Sequence, residues 1–500
     1  MRLTIKLGVF IFWLVMAVLL IKKEVVARYY ALAPAQPVQT PAVIPFREDW
    51  MGIYYNQRKI GYSNTILKDL SKDSNGLGGY AVYHNTFLSA PVLGELKSIE
   101  INGNAFLDEG LRLQALQFSL KSGDYIMNVK GRLQDDKIYL TLSNPPDATT
   151  QEMVIDRDVA LFSNLNPSLF LQSLLKTKSR SVKIFDPLTL SISTASINFL
   201  GKEKYFMDNK RLDVFVLEIS YQGITVKTWV DQDGKILKQE SPLGLVIIRE
   251  PQGKATDMPA ADASGKDILT SVSIPSNLII GVPQELKGIK LELKGVDLRA
   301  FDFSGPRQKV VFSSAQRTVA IINREELTGF VPLALPIRAL DLGKFLKPEF
   351  LIQSDAPKII QQARDIVGEE KDSLKAALKI FDWVFKKIKK IPSLGLPSAI
   401  SVLENKEGDC NEHAYLFVAF ARASGIPAKI VTGLVYSKGR FYYHSWPKVF
   451  VGKWIELDPT LGQQGVSALH IRFLEGGIER QVEIIKLIRK LKINMLNLYK

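Results

Sequence analysis

Residues 398–462 read SAISVLENKEGDCNEHAYLFVAFARASGIPAKIVTGLVYSKGRFYYHSWPKVFVGKWIELDPTLG. After Cys410 the apolar residues recur at helical spacing, and Gly425 followed by Pro427 predicts the end of that helix. Strands are then predicted at 428–436, 440–450 and 453–457. The stretch therefore predicts a buried helix that begins at Cys410 and packs on an antiparallel sheet.

Cys410 is the single cysteine of the chain, so no disulfide can form within it. A lone cysteine is more often a small buried hydrophobe than a nucleophile. Its place in the first helical turn nevertheless favours the thiolate, because free backbone N–H groups and the positive end of the helix dipole lie beside it. His444 lies within the second predicted strand and Asp458 directly follows the third. We predict Cys410 as nucleophile, His444 as general base and Asp458 as the residue that orients the imidazole.

Four short motifs in this stretch resemble the transglutaminase-like superfamily. They are Gly408-Asp409-Cys410, Gly425-Ile426-Pro427-Ala428, His444-Ser445-Trp446 and Leu457-Asp458-Pro459-Thr460. The resemblance implies a papain-like α+β fold and acyl transfer by a Cys-His-Asp triad, and it is greatest to bacterial members that read C-N-E-H after the turn. Lys448 departs from the pattern, since members often carry an acidic residue there. We expect Lys448 to change the charge of the substrate groove.

A metal site is the competing interpretation of the same residues. His413 lies three residues after Cys410 on the predicted helix, so the two could bind a metal together with His444. A structural zinc site normally needs four Cys or His ligands, and the chain has no second cysteine. We therefore expect neither a metal nor a cofactor, and we interpret His413 as a buried, hydrogen-bonded residue. His84 and His470 show no partner pattern.

The N-terminal residues 1–30 contain the uncharged apolar run Leu7–Ile21. A cleaved signal peptide is the alternative, but Lys22, Lys23 and Glu24 stand where small cleavage-site residues would be needed. We predict an uncleaved single-pass anchor in the cell membrane, with the body in the periplasm or outside the cell. A Pro/Ala-rich spacer at 31–48 would hold the body away from the membrane.

The composition shifts divide the remaining chain into predicted regions. Residues 49–250 alternate with period two and carry a hairpin turn at Asp231–Gly234, which predicts an independently folded antiparallel β domain. The small polar stretch 251–267 predicts a linker, and 268–342 a small β-rich region. The catalytic domain is predicted at 343–475, with a helix from about 356 to 390. Residues 476–500 predict a basic amphipathic helix that packs against the catalytic domain or lies on a membrane surface.

The net charge of +14 excludes little by itself, since Lys and Arg are spread along the chain and no nucleic-acid motif accompanies them. We expect a protein or peptide substrate, the inner membrane as a partner through the N-terminal helix, and no nucleic acid. The sequence predicts a cysteine enzyme that forms a thioester acyl-enzyme, with hydrolysis favoured over cross-linking. The alternative is a non-catalytic envelope scaffold that retains the fold.

Overall fold

The structure is a computed structural model, and it describes residues 46–70, 79–92, 95–123, 125–143, 150–156, 159–161, 167, 170–187, 191–207, 209–242, 244–259, 268–338, 340–392 and 398–500. A large antiparallel sheet is followed by a C-terminal domain in which helices pack on a second sheet. The predicted α+β fold class is therefore confirmed, with its N-terminal β region and its transglutaminase-like C-terminal domain.

The N-terminal sheet has fifteen strands in the order β8-β7-β6-β5-β4-β3-β2-β1-β15-β14-β13-β12-β11-β10-β9. Its strands are β1 Arg47–Tyr55, β2 Arg58–Asp69, β3 Tyr80–Val92, β4 Glu95–Leu107, β5 Leu113–Ser122, β6 Tyr125–Gln134, β7 Lys137–Ser143, β8 Thr150–Asp156, β9 Ala160–Leu161, β10 Ser179–Asp186, β11 Ser191–Met207, β12 Lys210–Tyr221, β13 Ile224–Val230, β14 Ile236–Glu240 and β15 Leu245–Arg249. Neighbouring strands mostly follow each other in sequence, as hairpins do.

One apolar cluster joins the two ends of this sheet. Helix α1 (Leu171–Thr177) contributes the fully buried Leu174 to a cluster that also includes Leu140 of β7 and Leu217 of β12. The sheet therefore curves around α1. The predicted turn at Asp231–Gly234 connects β13 and β14, where the Asp231 carboxylate accepts hydrogen bonds from the backbone of Asp233 and Lys235.

The C-terminal domain packs five helices and a five-stranded sheet in layers. The helices are α4 Pro357–Val367, α5 Ser373–Lys387, α6 Ala399–Asn405, α7 Cys410–Ala423 and the short α8 Ile478–Gln481. The sheet has the order β16-β23-β22-β25, with β24 paired to β23; its strands are β16 Ile274–Pro275, β22 Ala428–Ser437, β23 Arg440–Phe450, β24 Trp454–Glu456 and β25 His470–Glu475. Helix α7 is buried between α4, α5 and α6 on one side and the sheet on the other.

A single helix from about 356 to 390 was predicted, and this was wrong. Gly368 at φ +60° ends α4, and the Asp372 side chain then caps α5 by accepting hydrogen bonds from the backbone N–H groups of Leu374 and Lys375. Residues Lys389–Lys390 form a further short strand, β20, parallel to β21 at Glu407–Gly408.

The prediction of an amphipathic helix at 476–500 was also wrong. Beyond α8 and a 3₁₀ turn at Val482–Leu487, the chain forms strand β26 at Lys492–Tyr499. Ile493 and Met495 are buried while their neighbours are exposed, which is the period of a strand. This strand completes a four-stranded sheet, β18-β19-β17-β26, with β17 Gly288–Lys294, β18 Gln308–Ser313 and β19 Arg317–Asn323.

The region 268–342 shares its core with the catalytic sheet. Leu291 of β17 lies in one apolar cluster with Phe441 of β23 and Ile471 of β25. Since β16 also pairs with β23, the predicted boundary at 342 does not coincide with a break in packing. Within the predicted linker 251–267, residues Gln252–Thr256 form helix α2, whose Ala255 is fully buried. Residues Ile268–Val272 form α3.

Two of the contacts between the large sheet and the C-terminal domain lie close to the helices that lead into the site. The Tyr125 hydroxyl of β6 donates a hydrogen bond to the Glu407 carbonyl of β21 at 3.0 Å. Phe350 packs against both the cluster around α1 and the cluster around α7. The large sheet is therefore in contact with the segment that leads into Cys410.

The predicted anchor at 1–30 and most of the predicted spacer at 31–48 lie outside the described residues. Across the part of the chain that the structure describes, no helix has the length and apolar character needed to cross a membrane.

Candidate active site

Cys410 is the first residue of α7, and its neighbours hold the start of that helix. The Asp409 carboxylate accepts a hydrogen bond from the Asn411 N–H at 2.9 Å, and the Glu412 carboxylate accepts one from the Asp409 N–H at 2.9 Å. This reciprocal capping box satisfies two backbone donors that the helix leaves unpaired. Gly425, at φ +77°, follows the last turn. The predicted helix start is therefore where the structure has it, and Cys410 itself is half-buried.

His444 and Asp458 meet at the centre of the sheet. His444 lies in β23 opposite Gly433 of β22, and Asp458 follows β24, which pairs with β23. The His444 Nε2 lies 2.8 Å from Asp458 Oδ2. The other carboxylate oxygen, Oδ1, accepts hydrogen bonds from the backbone N–H groups of Thr460 at 2.9 Å and Leu461 at 3.0 Å. Asp458 is therefore fixed by its own turn and directed at the imidazole.

Gly433 permits the close approach that this arrangement requires. A Cβ at Gly433 would lie 2.0 Å from the Ile471 carbonyl of β25 and 2.9 Å from the Trp446 ring. Trp446 in turn lies against His444, with ring centroids 5.9 Å apart. A larger residue at position 433 would force β22 away from β25, the strand that begins with His470, and would press on the Trp446 ring.

The thiol of Cys410 lies against the same strand. The Ser445 backbone N–H, one residue after His444, donates a hydrogen bond to the Cys410 sulfur and so lowers the pKa of the thiol. The charge of Asp458 raises the same pKa. Because His444 uses Nε2 to contact Asp458, its Nδ1 is the ring nitrogen left for the thiol proton. The structure thus places all three predicted residues in one region and pairs His444 with Asp458 directly.

Burial and neighbouring charges shift the pKa values of both Asp458 and Cys410. Burial acts to raise the pKa of Asp458, but the charge and hydrogen bond of His444 and the hydrogen bond of His470 hold it well below its usual range. Burial, followed by the charge of Asp409, raises the pKa of the Cys410 thiol well above its usual value, while the Ser445 N–H opposes this. The resting thiol is thus more strongly protonated than the helix position alone would predict.

His470 is a member of this site that the sequence did not indicate. It begins β25 and is fully buried, with Nε2 3.0 Å from Asp458 Oδ2 and Nδ1 3.1 Å from the Ser467 hydroxyl. No motif surrounds it in the sequence. The available signal was weak: a histidine beside an apolar run that alternates as a strand. His413, by contrast, is buried and bonded through Nδ1 to the Asp409 carbonyl at 2.6 Å, as predicted.

His444, Asp458 and His470 are also the group of side chains in the described residues whose donor atoms could surround a metal ion, since these atoms lie within 4.8 Å of one another. The group differs from the Cys410, His413 and His444 set considered from the sequence. Both imidazole Nε2 atoms already face the same carboxylate oxygen at hydrogen-bond distance. Direct hydrogen bonds therefore account for this cluster with no ion between them.

The expectation for Lys448 was wrong. Its side chain is buried and its Nζ lies 2.6 Å from Glu475 Oε1, so it does not line an open groove. It belongs to a buried ionic network in which Glu456 contacts Arg307 at 2.9 Å and Arg472 at 3.5 Å. Burial acts to raise the pKa of Glu456, but these cations lower it to about 2.

A cavity of about 630 Å³ lies near the far end of α7, between Arg422, Lys429 and Glu475. It includes none of the three predicted catalytic residues. The aromatic residues Phe441 and Trp446, which flank His444 in β23, are fully buried in the core and do not line this cavity.

Comparison with known families identifies the region that carries the site. Residues 360–459 match the family described as the transglutaminase-like superfamily. The chain contains a transglutaminase-like superfamily domain. This domain includes Cys410, His444 and Asp458, whereas His470 lies beyond the matched residues.

Solved structures similar to the chain include three from bacteria. A candidate cysteine protease from Cytophaga hutchinsonii is 17% identical, with 43% of this chain and 85% of that chain covered and a TM-score of 0.30. A β-barrel-like protein with a domain of unknown function from Brucella abortus is 9% identical, covering 41% and 94%, with a TM-score of 0.32. A candidate protease from Parabacteroides distasonis is 13% identical, covering 70% and 68%, with a TM-score of 0.20. No curated protein is significantly similar to the chain.

Proposed function

We propose that the protein is a cysteine enzyme that cleaves amide bonds of a protein or peptide through a thioester, with Cys410, His444 and Asp458 as its catalytic residues. The observation that carries this proposal is the His444–Asp458 contact of 2.8 Å beside the strand residue that is hydrogen-bonded to the Cys410 sulfur. The transglutaminase-like domain and its resemblance to cysteine enzymes support the same class.

In the proposed reaction the proton of the Cys410 thiol passes to His444 as the sulfur attacks the substrate carbonyl. The C–N bond breaks, His444 protonates the leaving amine, and a C–S thioester remains. Water then attacks the thioester, the C–S bond breaks, and a proton returns to the sulfur. Asp458 stabilises the imidazolium in both steps. As the first residue of α7, Cys410 has a backbone N–H with no acceptor inside the helix, and this N–H can bind the oxyanion.

A non-catalytic scaffold is the second candidate, and one observation favours it. The pKa of the Cys410 thiol is raised, which is typical of an inert cysteine, whereas reactive cysteines usually have a lowered pKa. The two candidates differ in whether His444 can remove the proton when an electrophile arrives.

Acylation by p-nitrophenyl acetate separates these candidates without knowledge of the natural substrate. The enzyme is expected to release one p-nitrophenolate per chain in a burst and to carry an acetyl group on Cys410, which mass spectrometry can map. Cys410→Ala should show neither. If the wild-type chain gives no burst and no acetylated Cys410, the scaffold is the correct function. Adding an amine during turnover then tests hydrolysis against amine transfer, and we expect the water product to predominate.

We also propose that the protein is anchored to the cell membrane by residues 1–30, with its body in the periplasm or outside the cell. The support is the uncharged run Leu7–Ile21 and the charged residues that follow it directly. N-terminal sequencing of the membrane fraction should find the first 30 residues still attached. A soluble protein with a mature terminus beyond residue 30 would contradict this proposal.

A further inference from the structure

We propose that His470 is a positioning residue of the triad, which holds the Asp458 carboxylate in place as an uncharged hydrogen-bond donor. This inference rests on the proposed function. It starts from the geometry at a single atom, since Asp458 Oδ2 has both His444 Nε2 at 2.8 Å and His470 Nε2 at 3.0 Å within hydrogen-bond distance.

The hydrogen bonds around His470 determine which of its nitrogens carries the proton. An ionised carboxylate can only accept, so His470 Nε2 must donate to Asp458. Nδ1 of a neutral ring is then an acceptor, and the Ser467 hydroxyl lies 3.1 Å away to donate to it. The same hydroxyl accepts from the Leu469 N–H at 3.3 Å. The chain of donors therefore runs from the backbone through Ser467 and His470 to Asp458.

The surroundings of His470 keep its ring uncharged. Burial lowers the pKa of His470, although the Asp458 carboxylate acts to raise it, and the charges of His444 and Arg307 lower it further. Arg307 is held close by its hydrogen bond to the His470 carbonyl at 2.8 Å. A neutral donor satisfies the carboxylate without cancelling its charge, so that charge stays available to the His444 imidazolium.

Trp446 fixes both imidazole rings at once. Its ring lies nearly parallel to His444, at 24° and 5.9 Å, and nearly perpendicular to His470, at 89° and 5.2 Å. Its Nε1 donates to Glu456 at 3.0 Å, which prevents the indole from rotating. Asp458 is thus held by four hydrogen bonds, two on each oxygen, and His470 supplies the one that comes from neither its own turn nor the catalytic base.

The test compares His470→Gln with His470→Met in the full chain. The two side chains have the same length, but only glutamine carries an N–H donor near the position of Nε2. Alkylation of Cys410 by iodoacetamide is measured from pH 5 to 9, with thermal unfolding as a check on folding. A positioning role predicts that the methionine variant is alkylated roughly 10-fold more slowly at pH 7 than wild type, while the glutamine variant recovers most of the rate. His84→Met changes another hydrogen-bonded histidine, half-buried in the large sheet, and should leave the pH profile unchanged.

Each outcome has a distinct meaning. Equal alkylation profiles for the methionine and glutamine variants, at equal thermal stability, would contradict the role of His470 while leaving the triad intact. A wild-type profile identical to that of His444→Ala would instead contradict the proposed function and this inference with it. The third outcome is that the wild type holds one zinc ion per chain and is alkylated faster once EDTA is added. In that case His444, Asp458 and His470 form a metal site and not the hydrogen-bonded arrangement.

Discussion

The large sheet and the C-terminal domain bury different kinds of residue. In the described part of the sheet, between residues 47 and 249, Asp49 is the one buried side chain that is formally charged. The C-terminal region buries Arg307, Lys448, Glu456, Asp458 and Arg472. Burial of a charge is costly unless it is paired, and apolar replacements of buried ion pairs are often as stable. The C-terminal region therefore retains, on the sheet that carries His444, a set of buried charges that stability alone does not require.

The same contrast appears in the hydrogen-bonded histidines. His84 of β3 contacts only two threonine hydroxyls among the hydrogen bonds that the structure describes, at 2.8 Å each. His444 and His470 share one carboxylate. A histidine bonded to neutral hydroxyls is a satisfied core residue, whereas a histidine bonded to an ionised carboxylate has its tautomer and orientation fixed. We expect substitutions in the two regions to differ accordingly.

The largest expected effect comes from Asp458→Asn. Because Oδ1 accepts two backbone N–H groups, the amide oxygen would take that place and turn the amide N–H₂ toward His444. His444 would then accept at Nε2 and carry its proton on Nδ1, where it could not take the thiol proton. By analogy with serine triads, turnover of p-nitrophenyl acetate should fall about 10⁴-fold.

The matched change in the large sheet is Asp49→Asn, which alters a buried carboxylate that contacts Arg47 and Arg249. It should leave turnover unchanged. Turnover near the wild-type level in Asp458→Asn would remove Asp458 from the catalytic set.

An intermediate effect is expected from Arg307→Met. This change leaves Glu456 buried without its contact at 2.9 Å and removes hydrogen bonds to the Ser467 and His470 carbonyls. Removing one partner of a buried ion pair costs about 3–5 kcal/mol. The free energy of unfolding of the C-terminal domain, measured in urea, should fall by that amount.

Lys204→Met provides the comparison, because Lys204 pairs with Asp213 on the exposed surface of the sheet. Exposed pairs contribute little, so we expect no measurable shift. Equal shifts for the two variants would mean that the buried network is no more important to stability than a surface pair.

The smallest expected effect tests how far the sheet takes part in the site. Tyr125→Phe removes the hydrogen bond to the Glu407 carbonyl, which is worth about 1 kcal/mol, so Cys410 alkylation should slow by less than about 5-fold. Tyr139→Phe, at an exposed position of β7, is the control. A loss of alkylation rate as large as that of His444→Ala would show that the sheet completes the active site, and the contrast between the two regions would not hold.

The sequence predicted those parts of the site that depend on local signals. The apolar spacing after Cys410 predicted the helix and Gly425 predicted its end, whereas the capping box of Asp409 and Glu412 was found only in the structure. Such signals are readable because each residue acts on its own turn. The order of Cys410, His444 and Asp458 was readable for a different reason, namely resemblance to a family.

The parts that were missed depend on pairing between distant segments. Strand β26 pairs with β17, which lies about two hundred residues earlier. This pairing makes the segment a strand although its local pattern resembles a helix, and no local pattern reveals such a distant partner. His470 belongs to the site because it contacts Asp458, which lies on a different segment of the sheet. Lys448 was assigned to the groove because family members often carry an acidic residue at that position, and the family pattern does not show that its partner Glu475, on another strand, buries it.

The most direct test of the account is the pH dependence of Cys410 alkylation by iodoacetamide in the wild type and in His444→Ala. Burial and Asp409 raise the pKa of the thiol, so a thiol acting alone would remain protonated at neutral pH and react only above its usual range. With His444 as base and Asp458 behind it, the wild type should be alkylated at pH 6–7, and His444→Ala should lose roughly 10²-fold of that rate at pH 7. The same pH profile in both proteins would contradict the catalytic pair.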